Sequence, residues 1–136
     1  MLMTKEILRQ KKLKVTPQRL SIFYMLKNTT SHPSVETIYS LLRETHPTMS
    51  LATVYKTLSV LVDANLVQQI NVGENSFRYD ATVSPHPHII CSKCNEVHDL
   101  HLDFVDEFFY KVQEETNFKL SYQKLYFYGI CPTCQH

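Results

Sequence analysis

Apolar positions recur at helical spacing through the first half of the chain. Thr16-Pro17 reads as a helix start, with a threonine N-cap and proline at the first helical position. Leu20, Phe23 and Leu26 follow along one helix. Ser34 caps a second helix that carries Val35, Ile38 and Leu42 on one face. His46-Pro47-Thr48-Met49 is a tight break. Ser50 then caps a helix with Val54, Leu58 and Leu61 on its apolar face. Two short helices joined by a tight turn form a helix-turn-helix pattern. The period then shortens to two: Leu66 to Val72 and Ser76 to Tyr79 flank the turn Gly73-Glu74-Asn75. A hairpin directly after such a helix pair is the place for a wing.

Ala81 to Pro87 reads as a hinge. Beyond it, His88 to Cys91 and Glu96 to Leu102 are strand-like. Asp103 is positioned to cap a helix carrying Phe104, Val105, Phe108, Phe109 and Val112. Lys119 to Tyr128 reads as a long aromatic strand. The expected organisation is therefore α+β: a winged helix-turn-helix over residues 1–80, a hinge over 81–87, and a β-β-α-β unit over 88–136. About fifty residues give a marginal core, so the second unit needs a staple, a partner chain, or both.

Composition narrows the function class. In 136 residues there are two glycines and no tryptophan, so there is no glycine-rich phosphate cradle. Charge appears at Lys5 and Glu6, no apolar h-region precedes it, and no run is long enough to span a membrane, so the expected compartment is the cytoplasm. The net charge of +1 hides a split. Residues 1–80 hold ten Lys/Arg against six Asp/Glu, whereas residues 81–136 hold four against seven. A polyanion partner for the first half fits that imbalance, as does ordinary charge scatter. On the second helix of the pair, Lys56 and Ser59 lie off the apolar face and Tyr55 at its edge. These types suit a DNA groove or a plain solvated face.

All four cysteines fall in two pairs, Cys91-x-x-Cys94 and Cys131-x-x-Cys134. Each pair can place two thiolates on one tetrahedral ion, and two pairs complete a closed structural zinc site. The residues between them hold a strand, a helix and a strand, so the metal would tie the first strand to the end of the last. His86-Pro87-His88 puts two imidazoles on one side of an extended chain. With His32, Asp80 and Asp99 they make a donor set of three nitrogens and two carboxylates, suited to Fe²⁺, Mn²⁺ or Zn²⁺. His98 and His101 are extra histidines near Asp99, suited either to a second metal site or to plain exposed strand positions.

The order of Lys14-Val15-Thr16-Pro17-Gln18-Arg19, His32-Pro33, Ser50-Leu51-Ala52-Thr53-Val54-Tyr55, His86-x-His88, Cys91-x-x-Cys94 and Tyr128-Gly129-Ile130-Cys131-x-x-Cys134 resembles the ferric uptake regulator family nearly end to end. The resemblance implies a homodimeric repressor that binds an inverted-repeat operator when its sensory site is metallated. It implies structural zinc on Cys91, Cys94, Cys131 and Cys134, and a regulatory Fe²⁺ or Mn²⁺ site on His32, Asp80, His86, His88 and Asp99. It maps a minor-groove lysine onto Lys14 and a base-contacting tyrosine onto Tyr55; Arg19, Thr53, Lys56 and Ser59 complete the candidate DNA contacts. Aspartate at both 80 and 99 resembles the peroxide-sensing branch, in which His32 and His86 would be the oxidation-sensitive ligands. Pro87 and Gln123 stand where a second regulatory site often has an aspartate and a histidine. An iron- or zinc-uptake repressor is the alternative within the family. A metalloenzyme is the alternative outside it, disfavoured by the absence of HExxH and of any general base beyond the ligands.

Overall fold

The computed structural model describes residues 2–73, 76–81, 86–100, 104–121 and 123–136. The chain forms two compact units, Met1–Val83 and Ser84–His136.

The first unit runs α1 (Leu2–Gln10), α2 (Pro17–Lys27), α3 (Val35–Leu42), α4 (Leu51–Asp63), β1 (Gln68–Gly73) and β2 (Ser76–Asp80). Thr16, Ser34 and Ser50 cap α2, α3 and α4, each accepting a hydrogen bond from the backbone N–H three residues on. That bond satisfies one of the donors a helix start leaves open. Ile22, Phe23, Leu26, Ile38, Val54, Leu58 and Leu61 fill one core, and Leu8 of α1 joins it fully buried. Helix α1 has no counterpart in the sequence reading. Its only buried residues are Thr4 and Leu8, one turn apart, too little pattern to announce it. Asn65 ends α4 in the left-handed conformation, with Leu66 N–H bonded to Leu61 C=O and Asn65 N–H to Val62 C=O. This closure turns the chain directly into β1.

β1 and β2 pair antiparallel, Gln68 opposite Asp80 and Ile70 opposite Arg78. The register shifts between Asn71 and Gly73. Gly73 adopts φ 118°, which a side chain rarely tolerates, and its N–H donates to Asn71 Oδ1. Glu74 and Asn75, the expected turn, lie outside the described residues.

The second unit contains β3 (His88–Cys91), β4 (Val97–Asp99), α5 (Phe104–Thr116) and β5 (Tyr126–Gly129). Its sheet has the order β4-β3-β5, with β4 antiparallel and β5 parallel to the central β3. Parallel pairing demands a crossover, and α5 lies in it. Ile90, Val97 and Val105 are its buried aliphatic residues among those described. Two expected strands are shorter. The strand expected over Lys119 to Tyr128 reduces to Tyr126–Gly129, because β3 offers four residues to pair with. Before it, the chain is held by α5 instead: Leu120 N–H donates to Gln113 Oε1. The strand expected from Glu96 spans Val97–Asp99. Leu102 and the cap Asp103 lie outside the described residues, as does the hinge apart from Ala81, His86 and Pro87. No described helix is long and apolar enough to cross a membrane.

Candidate metal centres and nucleic-acid surface

The four cysteines meet at one end of the second unit. Cys91 closes β3, and Cys131 follows β5 after Gly129 and Ile130. The sheet register sets Cys91 opposite Gly129, so the parallel pairing of β3 with β5 delivers the second cysteine pair to the first. Ser92 N–H donates to Gly129 C=O and locks that approach. The four Sγ atoms lie within 4.8 Å of one another, with Cys94 and Cys131 3.9 Å apart. Tetrahedral zinc with bonds of about 2.3 Å needs sulfurs roughly 3.8 Å apart. The donor set and the spacing fit structural zinc.

The backbone already favours thiolate at one corner. The Cys131 and Cys94 N–H groups point at Cys91 Sγ, at 3.4 and 3.5 Å. They draw its thiol down to about 6. Cys134 is pushed the other way, to about 12, first because its side chain hydrogen-bonds Cys131 and then by burial. Four sulfurs this close cannot all ionise without a cation among them. A dication removes that conflict, since a coordinating thiol is deprotonated outright.

The histidine-carboxylate donors form two groups of short contacts, one within each unit. In the second unit, His88 begins β3 and stands opposite Asp99 of β4. His86 Nε2 and His88 Nε2 lie 3.0 and 3.1 Å from the same oxygen, Asp99 Oδ1. The extended His86-Pro87-His88 segment brings the rings together, with centroids 4.4 Å apart. Leu100 N–H donates to Pro87 C=O and His88 N–H to Leu125 C=O, which pins both ends of the segment. His88 is 1 % exposed, and Tyr126 of β5 packs edge-on against its ring. In the first unit, His32 Nε2 lies 3.2 Å from Asp80 Oδ2. Both residues are buried, His32 in the loop before α3 and Asp80 at the end of β2. Nitrogen and carboxylate donors gathered this way suit a first-row divalent ion.

Two further expectations bear on a second metal site. His98 is exposed and pairs with Glu96 at 3.0 Å, as expected of a surface strand residue. His101 lies outside the described residues. Gln123 uses its amide to donate to Val105 C=O, a structural tie between α5 and the approach to β5.

On α4, Tyr55, Lys56 and Ser59 are exposed while Val54, Thr57, Leu58 and Leu61 are buried, so the three share the outward side of the helix. Thr53 is half-buried and its hydroxyl is 2.9 Å from that of Ser50, which makes it part of the cap. Lys14 is exposed. Arg19 reaches back to donate to Lys14 C=O at 3.0 Å, fixing the segment that leads into α2. Sequence reasoning passed over Arg78, whose guanidinium bonds the His32 carbonyl. Its one signal was a position two residues before Asp80 on the same strand.

Comparison with known proteins agrees with this geometry. The model of the ferric uptake regulator family matches residues 10–128. A transcriptional regulator named PerR from Clostridium acetobutylicum is 49 % identical over 129 residues, covering 95 % of this chain and 94 % of that protein. The peroxide operon regulator of Bacillus subtilis is 37 % identical, covering 95 % and 89 %. The ferric uptake regulator of Pseudomonas aeruginosa, solved with manganese, superimposes with a TM-score of 0.83 at 28 % identity, covering 95 % of this chain and 98 % of that one.

Proposed function

Because this chain belongs to the ferric uptake regulator family, whose members are transcription regulators rather than enzymes, we propose that it is a peroxide-stress repressor controlled by Fe²⁺ or Mn²⁺. The observation that carries the reading is the two donor groups, buried His32 with Asp80, and His86 and buried His88 with the half-buried Asp99. The five residues serve as ligands of one regulatory ion, which when bound supplies a redox-active or redox-quiet centre according to its identity. Its donors come from both units, so their ligation sets the angle between the first unit and the second. Metal can favour the DNA-binding state only as far as it binds that state more tightly.

Residues 1–80 are the DNA-binding domain, 81–87 the hinge and 88–136 the dimerisation and metal-binding domain. Lys14, Arg19, Thr53, Tyr55, Lys56 and Ser59 meet the duplex, Lys14 in the minor groove and Lys56 at a phosphate. The partner is an inverted-repeat operator, read by two copies whose recognition helices must match the half-site spacing. The second unit supplies the dimer contact. β5 ends the sheet order, and Ile89, Phe127, Tyr128 and Ile130 are large apolar side chains left exposed beside it. An open edge with such neighbours suits pairing with a second copy. Zinc on Cys91, Cys94, Cys131 and Cys134 holds that unit together, and the protein acts in the cytoplasm.

Peroxide acts on His32 and His86. One oxygen atom of hydrogen peroxide is transferred to an imidazole carbon, and the other leaves as water. The oxidised ring is a poorer ligand, and repression ends. The test is operator binding by the Fe²⁺ and Mn²⁺ forms before and after a brief low dose of peroxide. Loss in the iron form alone, with about 16 Da gained per oxygen on a peptide holding His32 or His86, is expected. Binding that survives peroxide and follows only free metal would make the chain an iron-, manganese- or zinc-uptake repressor instead.

A further inference from the structure

His32 is held in a conformation that its own chain does not favour. Its φ is 53°, in the left-handed region that a residue with a side chain rarely adopts. Pro33 behind it disfavours the right-handed helical alternative. Three consecutive residues of β2 close on this loop. Arg78 Nη1 donates to His32 C=O at 2.7 Å, Tyr79 N–H donates to Pro33 C=O at 3.0 Å, and Asp80 Oδ2 faces His32 Nε2 at 3.2 Å. Side chains two apart on a strand share a face. Arg78 and Asp80 therefore hold one residue at two points, the first by its carbonyl and the second by its ring.

We propose that Arg78 is a positioning residue for the regulatory metal: its guanidinium fixes the left-handed backbone of His32 and so aims the imidazole beside Asp80 before any ion arrives. The proposal rests on the reading of His32 as a ligand. It has an unusual sign. By charge alone, a guanidinium beside a cation site opposes cation binding, so deleting it should tighten the metal. A positioning role requires the reverse, because without the clamp the loop must be ordered when metal binds.

The experiment is a Mn²⁺ titration of the full-length, zinc-containing protein against a competing chelator, with no DNA present. Excluding DNA separates the role from any phosphate contact. Arg78→Ala should weaken Mn²⁺ by about tenfold or more, the scale of a lost charge-assisted hydrogen bond. Arg78→Lys, which keeps a cationic donor, should restore most of the affinity. In a His32→Ala background, Arg78→Ala should have no further effect. Arg78→Met retains the packing stem and replaces the alanine variant if that one unfolds. Unchanged or tighter Mn²⁺ binding in Arg78→Ala or Arg78→Met would overturn the proposal, as would an equal loss in the His32→Ala background. If His32→Ala alone binds Mn²⁺ like the parent, the ligand reading fails and the positioning role with it. If His32→Ala weakens binding and the Arg78 variants do not, the positioning role alone fails.

Discussion

His88 and Asp99 are direct cross-strand partners, and the His88 Nε2 lies 3.1 Å from Asp99 Oδ1. Their separation is thus fixed by the hydrogen-bond register of β3 and β4 rather than by side-chain reach. The same oxygen meets His86 Nε2 at 3.0 Å. Asp99→Asn keeps the shape and removes the charge. It should weaken Mn²⁺ by at least about tenfold, since even outer-shell partners of a metal site cost that much. Zinc should stay at one per chain, measured by metal analysis on the same sample. A variant that binds Mn²⁺ normally would remove Asp99 from the ligand set.

Cys134→Ser should release zinc and unfold the second unit while leaving the first intact. Among the described residues, Ile90, Val97 and Val105 are too small a core to replace a structural zinc worth about 10–16 kcal/mol in apparent binding energy. Amide exchange resolves the outcome by segment. Protection should vanish at His88 and Ser92, whose N–H groups donate to Leu125 C=O and Gly129 C=O, and persist at Leu58. A zinc-free protein with a protected β3 would sink the staple.

Lys14 and Lys56 are exposed on the first unit and should act through charge. Replacing either with alanine should weaken operator and unrelated DNA alike. The slope of log affinity against log salt should become shallower by about 0.9 for each phosphate that is no longer neutralised. Tyr55→Ala should behave differently, reducing the preference for the operator with little change in slope. Equal salt slopes for all three variants would reassign the lysines to a solvated face.

Ser50→Ala should destabilise the first unit by about 1 kcal/mol, read from urea unfolding. The bond removed is that from Thr53 N–H to Ser50 Oγ, at 3.1 Å. The Thr53 hydroxyl is also deprived of its neighbour. DNA affinity should drop beyond what the stability change explains, because the cap orients the first turn of α4. A stability loss with normal DNA affinity would confine Ser50 and Thr53 to the fold.

Helix starts were the most legible part of the fold. Thr16, Ser34 and Ser50 cap within four residues, so the sequence carries the whole interaction. The cysteine pairs were legible for a similar reason, since each pair is a local turn. What could not be read was register. Nothing near Asp99 in the sequence shows that it stands opposite His88, because that depends on where β4 stops along β3. Helix α1 was missed because it buries two residues only. The strand expected over Lys119 to Tyr128 was misread because its apolar and aromatic composition suits a strand, while Asn117 at φ 58° and the Gln113 side chain turn its first residues aside. Arg78 was invisible because its partner is a main-chain carbonyl 46 residues away.

With His88 as a ligand of the regulatory ion, as proposed, the four residues of β3 bear on both metals. His88 stands at one end and Cys91 at the other, about 10 Å apart at the rise of an extended strand. A chain starved of zinc loses the anchor at Cys91, and with it the pairing that presents His88 to Asp99. The two ions are thus wired in series. On the proposed ligand assignment, the regulatory site would be armed only in molecules that have already secured their zinc, and a zinc-poor cell would carry copies deaf to the regulatory ion.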